Sequence, residues 1–390
     1  GGNMEEMKKV ERCYRCGAAL QETDAAAEGY ISKETKLLEG GHPLLCSTCF
    51  QETRWNDAPK ENSVSESFLK MLSIAKGKPA LFVYMIDLFS FESSFVKEVS
   101  SLLKDVPILI LANKRDLLPK DIDDEKLGEY VALHFKRAGF QNVTSKEVYL
   151  TSVYRGFDLE PVRKKIKEER KGRDIYLIGA SKSGKTLLIS TFLSTYKNDT
   201  GKTIAGGNYF DTLSPVLRIP LDKDSYLYDT EGFNIDNSLF GHSDTPKELI
   251  VKEGETVSPL TFALQNKGSL FFGLLAHFDV LESKRKAIPI TCYFSMKTEI
   301  KRITPKKDMV SLFDKYLEKK ALKPRLSNLK TSKDFDAFDF AFEKEEDRDF
   351  GIAGFGWISL HGLPKERYRL YLPKGIGAYT SAPKITKKRK

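Results

Sequence analysis

Long apolar runs are missing from this 390-residue chain: none approaches the roughly 20 residues needed to span a bilayer, and no secretory leader pattern is visible. A soluble, cytoplasmic protein without a membrane partner is expected. Cysteine is scarce, and four of the five cysteines fall into two CxxC pairs, which argues against a disulfide framework. Acids are in deficit, 54 against 63 lysines and arginines, and the net charge of +9 suits a polyanionic partner. With 41% hydrophobic residues the chain is long enough for two or three domains. Gly1-Gly2-Asn3 before Met4 resembles a cloning remnant and is set aside.

Cys13-Tyr-Arg-Cys16 and Cys46-Ser-Thr-Cys49 bracket 29 residues. Two residues between thiolates let both sulfurs of a knuckle face one ion, and two knuckles supply the tetrahedral four-sulfur shell that zinc favours. All four positions are filled, so a structural zinc is expected. Gly17 follows the first knuckle, where the turn often requires a positive φ. The long spacing suggests a hairpin between the knuckles, and His42 reads as a spectator.

Residues 57 to 66 read as a linker. Beyond it, Leu81–Asp87, Pro107–Asn113, Val148–Ser152 and Asp174–Gly179 are short continuous apolar runs, each ending in a polar or glycine-bearing loop. Such strands imply a parallel sheet covered on both faces, with ligands at the carboxyl ends of the strands. After Asp229 the character changes to longer strands and scattered basic stretches, which sets a third domain from about residue 245.

Three chemical motifs occupy the middle of the chain. Gly179-Ala180-Ser181-Lys182-Ser183-Gly184-Lys185-Thr186 fits the phosphate-loop pattern, follows a strand and precedes the helical run Leu187–Leu193. Backbone amides from Lys182 through Leu187, with those of Ser183 and Gly184 between, would wrap phosphates; Lys185 would reach the outer ones, and the Thr186 hydroxyl would bind magnesium. Asn113-Lys114-Arg115-Asp116 ends another strand. The aspartate can accept hydrogen bonds from the N1 and N2 donors of guanine, which adenine lacks at matching positions, so GTP is favoured over ATP. Ser152 and Val153, in Thr151-Ser152-Val153, take the place of an accessory guanine loop, with the Val153 amide facing the base. Asp229-Thr230-Glu231-Gly232, at the end of the strand Tyr226–Asp229, supplies an aspartate to hold magnesium through water and a Gly232 amide for the γ-phosphate. Phe233 stands where Ras-like proteins have the glutamine that orients water, so turnover is expected to be slow.

The order of these motifs is unusual. The base motif comes first, the phosphate loop more than sixty residues later, and the metal-side motif last. In an ordinary GTPase the phosphate loop leads, so the chain reads as a circularly permuted one. Cysteine knuckles, permuted guanine motifs and a basic C-terminal region together resemble the YqeH family of circularly permuted ribosome-assembly GTPases. Asp87–Ser94, Asn113–Pro119, Gly354-Phe-Gly-Trp357 and Pro373-Lys-Gly375 all resemble family signatures. The resemblance implies GTP hydrolysis coupled to small-subunit maturation, with the outer domains contacting rRNA or ribosomal protein.

Three positions depart from the family pattern. Pro-Gly-Thr-Thr of the first switch is replaced by Tyr209-Phe-Asp-Thr212, leaving Thr212 as the candidate magnesium ligand. Asp-Thr-Pro-Gly has become Asp-Thr-Glu231-Gly, which sets a carboxylate near the γ-phosphate unless it turns outward. Lys182 stands where related cation-stimulated GTPases have asparagine; its ammonium either replaces a potassium ion or points into solvent.

Other features read more plainly. Gly268–Phe278 reads as core, His277 as a satisfied structural histidine and Cys292 as a buried strand residue. Asp87, Phe89 and Phe91 either shape the guanine pocket from behind or form a local turn. The basic tail 384–390 reads as flexible, available for phosphate-backbone contact. Phe233–Asp244 reads as a polar linker able to transmit nucleotide state.

The fold class expected is therefore α/β: a four-cysteine zinc-knuckle domain (1–57), a circularly permuted P-loop GTPase domain with a parallel sheet (65–244), and a mixed α/β C-terminal domain for RNA or ribosome contact (245–390). The expected cofactors are GTP or GDP, Mg2+ and Zn2+. The expected function is a slow GTPase acting as an assembly factor for the small ribosomal subunit, with Lys185, Thr186 and Gly232 catalytic. A nucleotide-gated RNA-binding module with little turnover is the competing reading. Oligomeric state is not legible.

Overall fold

The computed structural model describes residues 10–33, 36, 44–56, 62–154, 156–239, 251 and 255–387. His42 and residues 240–250 lie outside them, as does the end of the tail from 388.

The cysteine-bearing segment leads into helix α1 (Ser47–Asn56). Gly17 adopts φ 76°, as the knuckle turn requires. Between the knuckles the expected hairpin is absent among the described residues: the ladder is reduced to single bridges, Arg12 to Ala19 antiparallel and Gln21 to Tyr30 parallel. The Gln21 side chain holds the intervening turn, donating to Asp24 O at 2.7 Å and accepting from Asp24 N at 2.8 Å.

Helix α2 (Glu66–Ala75), capped by the Ser65 hydroxyl, introduces a seven-stranded sheet. Its strands are β1 (Ala80–Asp87), β2 (Ile108–Asn113), β3 (Val148–Leu150), β4 (Asp174–Gly179), β5 (Ala205–Asn208), β6 (Pro215–Pro220) and β7 (Tyr226–Asp229). They lie in the order β3-β2-β1-β4-β7-β6-β5. Strands β3 through β7 in that order are parallel, whereas β6 and β5 are antiparallel additions at one edge. Helices α3 (Lys97–Leu103), α4 (Asp124–Arg137) and α5 (Glu160–Arg170) occupy the crossovers, and α6 (Lys185–Ser194) follows β4.

The continuous apolar runs have the expected cause. Leu81, Val83 and Met85 of β1 join Leu109, Leu111 and Leu177 on one face of the sheet. Phe82, Tyr84 and Ile86 join Ile110, Ala112 and Ile178 on the other. With both faces covered, the alternation of a half-exposed strand disappears.

The C-terminal unit is richer in strand than the expected mixed α/β domain. Strands β8 (Leu260–Leu264), β9 (Ser269–Phe272), β10 (Ala276–Glu282), β11 (Ile288–Phe294), β12 (Ile300–Ile303), β13 (Phe335–Ala341), β14 (Glu346–Ile352), β15 (Gly356–Gly362), β16 (Arg367–Pro373) and β17 (Ala378–Ser381) form two antiparallel sheets, β12-β9-β10-β16-β13 and β17-β14-β15-β11-β8. Helix α7 (Met309–Lys319) accompanies them. Both sheets contribute to one apolar core. His277 is buried there, 2.8 Å from Asp279 Oδ1 and stacked on Tyr371, a satisfied structural histidine. Cys292 is likewise buried in β11, and burial pushes its thiol up.

Packing crosses between the units, and it corrects two expectations. Residues from 233 to 239 do not form a free linker: Phe233, Ile235, Ser238 and Leu239 are buried. Leu239 N donates to Ala353 O at 3.0 Å, and Gly377 N donates to Asn237 O at 2.7 Å, so this segment is fastened to the C-terminal sheets. The tail is not flexible where it begins. Lys384 is buried, its ammonium 2.7 Å from Glu92 Oε1, 3.1 Å from Leu88 O and 4.2 Å from the centroid of the Trp357 ring. Asp123 N donates to Thr386 O at 2.7 Å, drawing the chain on along the parallel-sheet unit.

Candidate nucleotide site and cysteine cluster

Strand β1 lies between β2 and β4, which carry the base motif and the phosphate loop at their carboxyl ends. Asn113 spans the gap. Its Nδ2 donates to Ser183 O at 2.9 Å, and its Oδ1 accepts from Val153 N at 2.8 Å. One fully buried side chain thus ties the phosphate loop, the base motif and the accessory loop together. The expectation that the Val153 amide faces the base is corrected: that donor is engaged by Asn113. Ser152 acts differently, its hydroxyl accepting from Asp116 N at 3.0 Å.

Lys114 adds a second strut. Held at φ 69°, it sends its ammonium 2.7 Å from Asp87 Oδ2 and 3.0 Å from Lys182 O. Asp87 also accepts from Phe89 N at 2.8 Å, forming a turn. Phe89 and Phe91 serve the contact between units: Phe89 lies 5.2 Å from Trp357, and Phe91 lies under the Lys384 ammonium. Gly354 N, at the turn before Trp357, donates to Ser90 Oγ at 2.9 Å. Two of the segments singled out in the sequence, Asp87–Ser94 and Gly354–Trp357, therefore meet each other.

Glycine shapes the phosphate loop. Gly184 adopts φ 99°, and a Cβ there would lie 2.2 Å from Asn113 Nδ2; at Gly179 it would lie 2.5 Å from Met85 O. Lys182, at φ 70°, is exposed. Ser183 Oγ is buried and has no partner among the described residues. Lys185 and Thr186 open α6, with Leu187 next, so the loop leads directly into a helix N-terminus that favours anions.

Residues from 229 to 233 close the other side. Lys185 Nζ lies 2.6 Å from Asp229 Oδ1 and also donates to Thr230 O. Burial pushes the Asp229 carboxyl up from its ordinary value, and the Lys185 ammonium opposes that shift. Ser181 N and Oγ both donate to Phe233 O, at 3.0 and 2.8 Å, which brings Gly232 against the phosphate loop. Phe233 itself turns inward, packed on Phe68 and Tyr84. The Glu231 carboxylate accepts from the Ser214 hydroxyl at 2.9 Å, drawn to the turn between β5 and β6. In that same turn the Thr212 hydroxyl donates to Tyr209 O at 2.7 Å and accepts from Ser214 N at 3.2 Å. Thr212 is therefore a turn-stabilising residue here, whereas Thr186, next in sequence to Lys185, is exposed.

At the N-terminus the four Sγ atoms of Cys13, Cys16, Cys46 and Cys49 all lie within 4.8 Å of one another. A tetrahedral ion with sulfur bonds of about 2.3 Å spaces its sulfurs roughly 3.8 Å apart, and Cys16 and Cys46 are 3.9 Å apart. The Cys46 amide donates to Cys13 Sγ at 3.3 Å, orienting that sulfur. A hydrogen bond from Cys49 lowers the Cys46 thiol to about 5, and the same contact, with burial, pushes Cys49 up. Crowded thiols cannot all ionise alone, and a divalent cation supplies the missing charge. The donor set fits zinc.

Sequence reading missed the anchorage of this module. Trp55 of α1 inserts into the C-terminal core against Phe338 and Phe350, and its Nε1 donates to Asp339 O at 2.8 Å. A lone tryptophan just before the linker was the available signal.

No family model matches the chain. Among known proteins it is 28% identical over 374 residues to a protein of Bacillus subtilis named uncharacterized protein YqeH, covering 96% of this chain and 98% of that one. It is 26% identical to the chloroplastic/mitochondrial NO-associated protein 1 of Arabidopsis thaliana, covering 92% and 71%. The human nitric oxide-associated protein 1 is 25% identical over 47% of this chain and 32% of its own length. The similarity to the Bacillus subtilis protein thus extends over nearly the whole length of both chains.

Proposed function

We propose that the protein binds GTP and GDP with magnesium, hydrolyses GTP slowly, and uses its nucleotide state to control contact with the small ribosomal subunit, through rRNA or a ribosomal protein, in the cytoplasm. Asn113 is the observation that carries this reading. Its side chain joins two motifs far apart in sequence, Ser183 of the phosphate loop and the base loop, in one rigid frame. The strands β6-β7-β4-β1-β2-β3 form a sheet with the phosphate-loop strand β4 inside it and the base motif two strands away. That arrangement supports a permuted GTPase, in which strand adjacency survives while chain order changes.

In this reading Lys185 and the helix N-terminus bind phosphate oxygens, Thr186 and Asp229 hold magnesium, and Gly232 meets the γ-phosphate. Thr212 is not assigned to magnesium in this reading, because its hydroxyl is engaged within its turn. Slow turnover is supported by Phe233, whose ring is buried and unable to orient water. The cysteine cluster takes a structural zinc, and the net charge of +9 favours an RNA-containing partner.

The inward Phe233 also favours a second reading, a nucleotide-gated RNA-binding module with almost no hydrolysis. Single-turnover hydrolysis with and without small subunits separates the two. Acceleration by subunits supports the first; tight GDP binding with no hydrolysis in either case supports the second. Equal affinity for GDP and ADP would sink both.

A further inference from the structure

The base loop is a single helical turn, and a turn so short leaves most of its backbone groups unpaired. Leu117 N donates to Lys114 O and Leu118 N to Arg115 O, which closes the turn but leaves the carbonyls of Asp116 and Leu117 to find partners elsewhere. Both find them in one dipeptide, 140 residues further along the chain. Thr256 Oγ1 donates to Asp116 O at 3.0 Å, and Val257 N donates to Leu117 O at 2.7 Å. Val257 is buried in the same apolar cluster as Leu117 and Leu118. On its amide side Asp116 rests on the Ser152 hydroxyl, so the loop is gripped from opposite directions.

This dipeptide lies just before Leu260, where β8 begins and pairs with β11 of the C-terminal unit. We propose that Thr256 is a positioning residue for Asp116, through which the segment leading into the C-terminal unit sets how tightly the guanine base is held. The inference rests on the guanine reading above and deepens it. Displacement of Thr256 loosens the carbonyl of Asp116, the turn rotates about the left-handed Lys114, and the carboxylate loses its bidentate alignment with the base. A partner that pulls on β8 would then speed GDP release from the base side, without acting on the phosphates.

The test uses the full chain and three forms of it: unmutated, Thr256→Val, which is nearly isosteric but cannot donate, and Thr256→Ser, which restores the donor. GDP and inosine diphosphate affinities are measured by displacement of a ribose-labelled fluorescent GDP, with thermal melting alongside. Inosine lacks the 2-amino group, so the preference for GDP over inosine diphosphate reports the alignment of Asp116 directly. The valine variant is expected to bind GDP about three- to tenfold more weakly, as for loss of one hydrogen bond, and to show a reduced preference. The serine variant should return both to within about twofold of the unmutated chain. Unchanged GDP affinity and preference in Thr256→Val overturns the proposal. An equal loss for both nucleotides with a lowered melting temperature also overturns it, since that is the signature of a prop without a positioning role. Failure of the unmutated chain to bind GDP defeats the guanine reading itself and is seen before any variant is made.

Discussion

Arg348 Nη1 lies 3.1 Å from Glu52 Oε1, with both side chains 3% exposed, and the pair joins the cysteine-bearing module to strand β14. The other oxygen of Glu52 faces Arg137 at 3.1 Å and Arg15 at 3.5 Å. One buried carboxylate therefore meets cations from all three units of the chain. Breaking a buried pair by removing one partner strands the other charge, at a cost of about 3–5 kcal/mol. Glu52→Ala should lower unfolding stability by that amount in a denaturant titration. A loss below about 1 kcal/mol would mean that water enters the junction and screens it.

Metal removal should be felt beyond the knuckles. One zinc per chain is expected by elemental analysis. Cys49→Ser should release α1 and with it Trp55, so amide hydrogen exchange should quicken around residues 338–350 as well as in 10–56. GDP affinity should change by less than about threefold, because no cysteine touches the nucleotide site. Exchange confined to the N-terminal segment would show that Trp55 stays docked without the cluster.

Asp116→Asn tests base choice. An amide donates where the carboxylate accepted, so GTP should weaken by about 2–4 kcal/mol, as for loss of charge-assisted contacts, while xanthosine triphosphate gains. Unchanged discrimination in a competition titration would remove Asp116 from the base site.

Gly184→Ala places a methyl group against Asn113 Nδ2, where the ideal distance is 2.2 Å, at a residue with φ 99°. The Asn113–Ser183 link must open. Nucleotide affinity should fall at least tenfold while the melting temperature shifts modestly, since the surrounding sheet is unaffected. Retention of tight binding would mean that the frame tolerates separation of its two motifs.

Asp349 carries a pH signature. Burial raises its carboxyl to about 7, against the lowering effects of the Lys384 amide, the Ser359 hydroxyl and the Lys384 ammonium, while Glu92 adds to the rise. Because the folded value exceeds the unfolded one, the folded state binds the extra proton between about 4 and 7. Stability from this group is therefore present at low pH and is lost as pH rises through that window. Burial has the opposite consequence for nearby His134, lowered to about 3, which destabilises the fold as pH falls below its unfolded value. Melting of Asp349→Asn beside the unmutated chain isolates the first effect. The stability of the unmutated chain relative to the variant should decline from about pH 4 to pH 7, and a flat difference would mean that Asp349 is ionised throughout.

Local chemistry was legible from the residues. β4 and β7 have the limits suggested by their apolar runs, and Gly17 adopts the turn conformation its position required. The pairing of the cysteines into two knuckles follows from spacing, because a knuckle is closed within four residues, and the fold brings the two pairs together. The reading of Val153 failed for a different reason. An amide next to an expected base site has several acceptors within reach, and only the folded backbone shows that Asn113 Oδ1 takes it.

By itself the sequence determined which strands are buried, where the phosphate-loop and base motifs lie, and that the thiols fall into two knuckles, since each depends on neighbours a few residues away. Tertiary structure alone decided that Lys384 is a buried cation on Glu92 and Trp357 and not a solvated tail, that Phe233 to Leu239 is fastened to the C-terminal sheets, and that Thr256 reaches Asp116. Composition describes what a lysine or a polar linker does in water. The partner lies 140 residues away for Thr256 and farther for Lys384, whose burial it makes favourable, and chain folding alone selects it.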